Sequence, residues 1–123
     1  NNREMDVEIS RWSDPAGMNL QFTIQPFTRG TTNYKQFNLD LTGQSSSTHI
    51  FQWQSSSISF ESARGYSVNP TRTDVLATWE YSGADVPNTG LENARINLWL
   101  NGGTPPSDSE EVEVVVHQFI FVH

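Results

Sequence analysis

The sequence predicts an all-β protein made of two packed antiparallel sheets rather than a closed barrel. Apolar residues such as Met5, Val7 and Ile9 alternate with polar ones, and this period of two is typical of strands with one buried face. Turn-forming residues, for example Asp14-Pro15-Ala16-Gly17, separate the alternating runs. No stretch carries the apolar stripe and end signals of an amphipathic helix. Together these observations favour an antiparallel β-sandwich.

About eight strands are predicted, at spacings of about ten to fifteen residues, as in all-β sandwiches. The early strands are marked by strict alternation. The last one is rich in valine, isoleucine and phenylalanine, which are common in strands. The predicted strands are 4–10, 20–25, 36–41, 48–53, 57–63, 74–81, 94–100 and 111–122.

The composition limits both the size and the partners of the protein. Its 123 residues suffice for a single domain with one core, and an aromatic content of 11% argues against disorder. A net charge of -7 makes nucleic acids and anionic membranes poor partners. No apolar run is long enough to span a membrane. Because the chain has no cysteine, it has no disulfide, no thiolate nucleophile and no cysteine-based zinc site.

The segment Glu4-Met5-Asp6-Val7-Glu8 is the densest acidic feature of the chain. On a strand, alternate residues share a face, so three carboxyl groups project side by side while Met5 and Val7 face a core. Crowding of like charges raises at least one pKa, as a general acid requires. The Cα atoms of Glu4 and Glu8 are expected about 13 Å apart, and leaning side chains would bring the carboxyls to about 5–6 Å, near the ~5–5.5 Å of retaining glycosidases.

A simpler interpretation of the same pentapeptide is the solvated side of a strand with one buried face. Two features favour the catalytic interpretation. The surrounding residues are aromatic and amide-bearing, as on sugar-binding faces, and several segments resemble one known family in order.

That family is glycoside hydrolase family 16, the β-glucanases with a concanavalin-like jelly-roll fold. The acidic pentapeptide resembles the family's active-site motif, and further segments resemble its later strands. These segments are Leu20-Gln21-Phe22-Thr23-Ile24-Gln25, Thr48-His49-Ile50-Phe51-Gln52-Trp53, Ser57-Ile58-Ser59-Phe60, Ala94-Arg95-Ile96-Asn97-Leu98-Trp99 and the run from Val112 to Val122.

The resemblance implies retaining hydrolysis of β-1,3 or mixed β-1,3-1,4 glucan. Glu4 would be the nucleophile, Asp6 its helper and Glu8 the acid/base. No cofactor and no metal site are expected, although a structural calcium ion is left open. Substrate-binding residues are expected at Trp12, Gln21, Thr23, Gln25, His49, Asn97 and Trp99.

Several of these binding residues have alternative interpretations from the pattern alone. Trp12 continues the Glu4–Glu8 face if the strand stays regular, and otherwise it is a core residue at a strand end. His49 is either a partner of a catalytic carboxylate or a hydrogen-bonded structural residue. Asn97 and Trp99 share one face of their predicted strand, which suits a cleft. Trp53 and Trp79 are assigned to the core.

The position of the acidic motif sets a further expectation. In the family this motif lies near the middle of the domain, whereas here it begins at residue 4, so residues 1–123 are expected to form a single domain or the C-terminal half of a jelly roll. A separate N-terminal piece or a homodimer would complete the fold, and the chain alone is not expected to be a stable monomer. The acidic, lysine-poor composition suits an exported protein that degrades polysaccharide. The alternative function is a non-catalytic, lectin-like carbohydrate-binding sandwich.

Overall fold

The computed structural model describes residues 3–122, apart from the side chains of Arg29 and Thr31. The chain divides into two units, Asn1–Leu91 and Glu92–His123. The strands described in the first unit are β1 Met5–Ile9, β2 Leu20–Ile24, β3 Tyr34–Phe37, β4 Ser47–Trp53, β5 Ile58–Arg64 and β6 Val75–Tyr81, with a 3₁₀ helix at Phe27–Thr32 between β2 and β3.

These strands form two antiparallel three-stranded sheets. Sheet A has the order β1-β2-β3 and sheet B the order β4-β5-β6, so each sheet is a simple meander. The prediction of an all-β, antiparallel protein is therefore confirmed. Within residues 3–122, no helix is long and apolar enough to cross a membrane.

The inner faces of the two sheets share one apolar core. Leu20, Phe22 and Ile24 of β2 are fully buried, and the Phe22 ring stacks on Phe60 of β5 with centroids 5.0 Å apart. Burial of each such side chain contributes roughly 1.5–3 kcal/mol. The buried core residues are Leu20, Phe22, Ile24, Leu39, Ile58, Phe60, Ala77, Tyr81 and Val86. Trp53 and Trp79 pack against this core, as the sequence predicted.

A buried polar cluster ties the loop before β3 to the end of β6. Asn33 is only 2% exposed, and its Nδ2 donates to Asp85 Oδ2 at 2.9 Å and to the carbonyl of Pro26 at 3.2 Å. The hydroxyl of Tyr81 donates to Asn33 Oδ1 at 3.3 Å. Because buried polar groups are costly without partners, these bonds make Asn33 a structural residue of the first unit.

The third predicted strand is wrong in its bounds. The alternation of Phe37, Leu39 and Leu41 predicted a strand over 36–41, but β3 runs from Tyr34 to Phe37. The side chain of Asn19 explains the early end, because its Nδ2 donates to the Leu39 carbonyl at 2.9 Å and its Oδ1 accepts from the Leu39 amide at 2.6 Å. The Asn19 side chain thus takes both backbone hydrogen bonds of Leu39, which in a longer strand would go to a neighbouring strand.

The predicted strands 94–100 and 111–122 are also wrong for this chain. No described residue of the second unit belongs to a strand, and its one regular element is a 3₁₀ turn at Asn101–Gly103. Strand formation requires a neighbouring backbone to complete the ladder, and alternation alone does not supply one.

The inner faces are not fully covered at two of the four edge strands, β1 and β4. Ile9 of β1 is 58% exposed and Phe51 of β4 is 49% exposed, although both share the face of core residues. An edge strand with exposed apolar side chains is liable to associate with another chain.

Candidate active site

The three acids of the N-terminal motif lie on the outer face of sheet A. Met5 and Val7 pack against the core, so alternation along β1 turns Asp6 and Glu8 to the opposite face. The Gln25 amide donates to the Glu4 carbonyl at 3.0 Å, which continues the ladder by one residue and brings Glu4 into the same row.

Polar side chains of the adjacent strand β2 and of Gln25, which directly follows it, hold two of these carboxyls. The register pairs Glu8 with Gln21, and Gln21 Nε2 donates to Glu8 Oε2 at 2.7 Å. The hydroxyl of Thr23, a buried residue, donates to the same oxygen at 3.4 Å. Gln25 Nε2 donates to Asp6 Oδ2 at 3.4 Å. The structure therefore brings together the predicted acids and the predicted residues Gln21, Thr23 and Gln25.

Strand β3 and the 3₁₀ helix add residues that the sequence reasoning missed. Gln36 lies opposite Gln21 and donates to its Oε1 at 3.0 Å. Tyr34 lies opposite Thr23, and its ring meets Phe27 edge to face, with centroids 6.4 Å apart. The amide of Phe27 also donates to Gln25 Oε1 at 3.1 Å, which links this aromatic pair to the acidic face. The register of β2 against β3 brings Gln36 and Tyr34 to the site, and the ring contact with Tyr34 brings Phe27 there.

The environment of Asp6 and Glu8 favours the protonated forms of these two carboxyls. Burial, followed by the charge of Glu4, raises the pKa of Asp6 to about 6, against the opposing hydrogen bond from Gln25. Burial and the charge of Asp6 also raise the pKa of Glu8, while the bonds from Gln21 and Thr23 oppose the rise. A carboxyl that is protonated at mildly acidic pH can act as a general acid.

Trp12 does not continue the acidic face by strand alternation. β1 ends at Ile9, and Trp12 and Ser13 adopt positive φ angles of 50° and 65°. The Trp12 amide donates to the Ser10 hydroxyl at 2.9 Å, so the backbone turns here. Trp12 was expected beside the acids only if the strand stayed regular as far as residue 12, and the strand ends before it.

His49 belongs to sheet B and shares the inner face with Ser62 and Phe60. Its Nδ1 lies 2.7 Å from the Ser62 hydroxyl and its Nε2 lies 2.9 Å from the Ser47 hydroxyl. Burial lowers the pKa of His49, which favours a neutral ring. The structure thus places His49 between two serines, on a different sheet from the acids.

Asn97 and Trp99 lie in the second unit. Both are exposed, and the segment that carries them forms no strand. The prediction that both side chains share one face depended on a strand, and no strand forms there.

Within residues 3–122, no group of three or more histidine, aspartate or glutamate side chains is arranged to hold a metal ion. In comparisons with known proteins, no family model, curated protein or solved structure matches the chain.

Proposed function

We propose that this chain carries the catalytic acids of a retaining endo-β-glucan hydrolase that acts on β-1,3 or mixed β-1,3-1,4 polysaccharide. One observation carries the proposal: Glu4, Asp6 and Glu8 share one face of sheet A, and the side-chain amides of Gln21 on β2 and of Gln25 just after it hold two of the carboxyls. A solvated strand face would need neither the cross-strand donors nor the burial that raises the pKa of Asp6 and Glu8.

In the first step, Glu8 gives its proton to the glycosidic oxygen as the bond from that oxygen to the anomeric carbon breaks. The carboxylate of Glu4 attacks the anomeric carbon from the opposite side and forms a glycosyl ester. The bonding electrons leave with the departing sugar, whose oxygen now carries the proton. The elevated pKa of Glu8 supports its role as the acid.

In the second step, ionised Glu8 takes a proton from a water molecule. The water oxygen attacks the anomeric carbon, and the ester bond to Glu4 breaks. Both residues return to their starting states. Asp6 lies between them and carries a proton below about pH 6, so it can donate a hydrogen bond to Glu4 and modulate its charge.

Phe27 and Tyr34 give the acidic face an aromatic neighbour suited to sugar. Phe27 is 51% exposed and is linked to Asp6 through Gln25. Apolar faces of pyranose rings pack on aromatic rings, which offer large surfaces at low entropic cost. We assign this pair to substrate binding beside the acids.

The finer architecture that accompanies this function is a concanavalin-like jelly roll. The two antiparallel sheets are compatible with part of such a sandwich. The uncovered inner-face residues Ile9 and Phe51 are where a further polypeptide segment or a second copy would complete the layers.

The test is hydrolysis of β-1,3 and mixed-linkage glucan by the chain as purified, with any polypeptide that copurifies. Reducing ends measure cleavage, and NMR of the first product gives the anomeric configuration, which should be retained. Glu8→Gln should lower kcat by about 100- to 10,000-fold. Glu61→Gln, which alters a half-buried glutamate of sheet B, is the matched control and should be as active as wild type. Glucan binding without any cleavage would favour the lectin-like alternative.

A further inference from the structure

A chain of hydrogen bonds crosses all three strands of sheet A and ends on Glu8. Gln36 of β3 donates from Nε2 to Gln21 Oε1 at 3.0 Å, and Gln21 of β2 donates from Nε2 to Glu8 Oε2 at 2.7 Å. The register makes this row continuous, because Gln21 lies opposite both Glu8 and Gln36. Gln36 itself is exposed and does not touch the carboxyls by any of these bonds.

The two bonds have a fixed direction. An ionised carboxylate only accepts hydrogen bonds, so Gln21 must present its NH₂ group to Glu8. Its carbonyl oxygen then faces β3, where it needs a donor, and Gln36 supplies one. Gln21 Nε2 also donates to the Thr23 hydroxyl at 2.9 Å. Without the donor on its oxygen, the Gln21 amide nevertheless turns more readily and presents that oxygen to Glu8, an arrangement that suits only a protonated carboxyl.

We propose that Gln36 is a positioning residue, whose donated hydrogen bond holds the Gln21 amide in the orientation that serves ionised Glu8. The catalytic meaning of this role rests on the proposed function, in which Glu8 must lose its proton to the leaving sugar. The orientation of the two amides does not rest on it.

Among the other groups that face Glu8, the Thr23 hydroxyl also accepts from Gln21 Nε2, at 2.9 Å, but it gives the Gln21 oxygen no donor. Asp6 on β1 and Glu4, which directly precedes β1, are acids whose charges oppose ionisation of Glu8. β2 contributes the neutral side chains of Gln21 and Thr23, and the titratable group that β3 places on this face is the phenol of Tyr34. Gln21 and Thr23 are therefore the donors that stabilise the ionised carboxylate, and Gln36 sets the orientation of the stronger one.

The experiment follows the Glu8 carboxyl carbon by NMR as the pH is raised, in the full chain with labelled glutamate. Gln36→Met keeps the side-chain length but removes the donor, so the titration midpoint of Glu8 should move to higher pH. Gln52→Met is the matched control, because Gln52 is an exposed glutamine on β4 of sheet B, and it should leave the midpoint unchanged. An unchanged midpoint in Gln36→Met would overturn the inference.

A double substitution separates this route from a general effect of the new side chain. Gln21→Met removes the bond to Glu8 itself and should raise the midpoint at least as far as Gln36→Met. Because Gln36 acts through Gln21, the double variant should match Gln21→Met alone, a failure of additivity expected for residues in one network. Additive shifts would show that Gln36 acts by another route and would overturn the inference.

The pH dependence of glucan cleavage then distinguishes the two proposals. In Gln36→Met, the alkaline limb of kcat/KM should move to higher pH with the Glu8 midpoint. If the chain cleaves glucan but neither the Glu8 midpoint nor this limb moves, the positioning role fails and the proposed function stands. If the Glu8 midpoint moves as expected but no glucan is cleaved, the proposed function fails and the positioning role stands.

Discussion

Phe27 and Tyr34 meet edge to face, with ring centroids 6.4 Å apart and planes inclined by 69°. The pair joins the 3₁₀ helix to the edge strand of sheet A, on the face that carries the acids. Phe27 is about half exposed, and its backbone amide is bound by Gln25, the donor to Asp6. Under the proposed function, this exposed ring beside the carboxyls is the surface on which a sugar would stack.

Phe27→Ala should weaken binding of a glucan oligosaccharide by about tenfold, because the stacking surface is lost. Calorimetry on the Glu8→Gln background measures this affinity without turnover. Phe51→Ala removes a comparably exposed ring from sheet B and is the matched control. Equal affinities of the two alanine variants would remove Phe27 from the binding surface.

The raised pKa of Asp6 makes the stability of the first unit dependent on pH. Burial, followed by the charge of Glu4, raises this pKa from 3.8 to about 6, so the folded chain holds a proton that the unfolded chain has lost between these values. The free energy of unfolding should therefore fall as the pH rises from 4 to 6. Because Asp6 is partly solvated, we expect a fall of only about 1 kcal/mol from this group.

Asp6→Asn should remove that contribution. The free energy of unfolding of the variant should therefore rise relative to that of wild type as the pH increases from 4 to 6. Urea denaturation at several pH values measures the difference. Glu80→Gln, at an exposed position of β6, is the control and should keep the wild-type fall. A constant difference between Asp6→Asn and wild type would contradict the prediction.

The buried amide of Asn33 should be costly to remove. Asn33→Ala removes one hydrogen-bond partner from the buried hydroxyl of Tyr81 and one from the half-buried carboxylate of Asp85. We expect a loss of about 2–3 kcal/mol in the free energy of unfolding. Asn38→Ala, at an exposed position, should cost far less. Thermal unfolding of both variants gives the comparison, and equal melting temperatures would show that the polar cluster contributes nothing.

The sequence predicted the part of sheet A in which the alternation of apolar and polar residues matches the pairing of the strands. Alternation at Met5 and Val7 located β1, and it also placed Asp6 and Glu8 together on the other face, because the side-chain period of a strand is two. The same rule failed for Trp12, since positive φ angles turn the backbone there. Alternation reports which side chains could share a face, but it does not report where the strand ends.

Features that depend on the register between strands were beyond sequence reasoning. Gln36 and Tyr34 join the acidic face only because β3 pairs with β2 at Gln21 and Thr23. The early end of β3 has the same kind of cause, because Asn19 binds the Leu39 backbone from a distant part of the chain. The apolar pattern of 111–122 showed strand propensity, but no described residue of the second unit forms a ladder.

The uncovered apolar residues predict that the chain associates. Ile9 and Phe51 are exposed on inner faces, and Val122, Phe121 and other apolar side chains of the second unit are also exposed. Their burial against another polypeptide would be favourable by roughly 25 cal/mol per Å². Sedimentation velocity should show self-association or a copurifying partner, and Phe51→Ser with Ile9→Thr should reduce it. A sharp, reversible melt of a verified monomer would contradict this expectation.

Capture of the sugar ester on Glu4 tests the central claim most directly. In Glu8→Gln, a glucosyl-glucosyl fluoride can form the ester without acid assistance, because fluoride is a good leaving group, while the loss of the base slows its breakdown. Mass spectrometry of the intact protein and its peptides should find one added glycosyl group, and that group should be on Glu4. A chain that cleaves glucan but carries the glycosyl group elsewhere, or never carries one, would contradict the account.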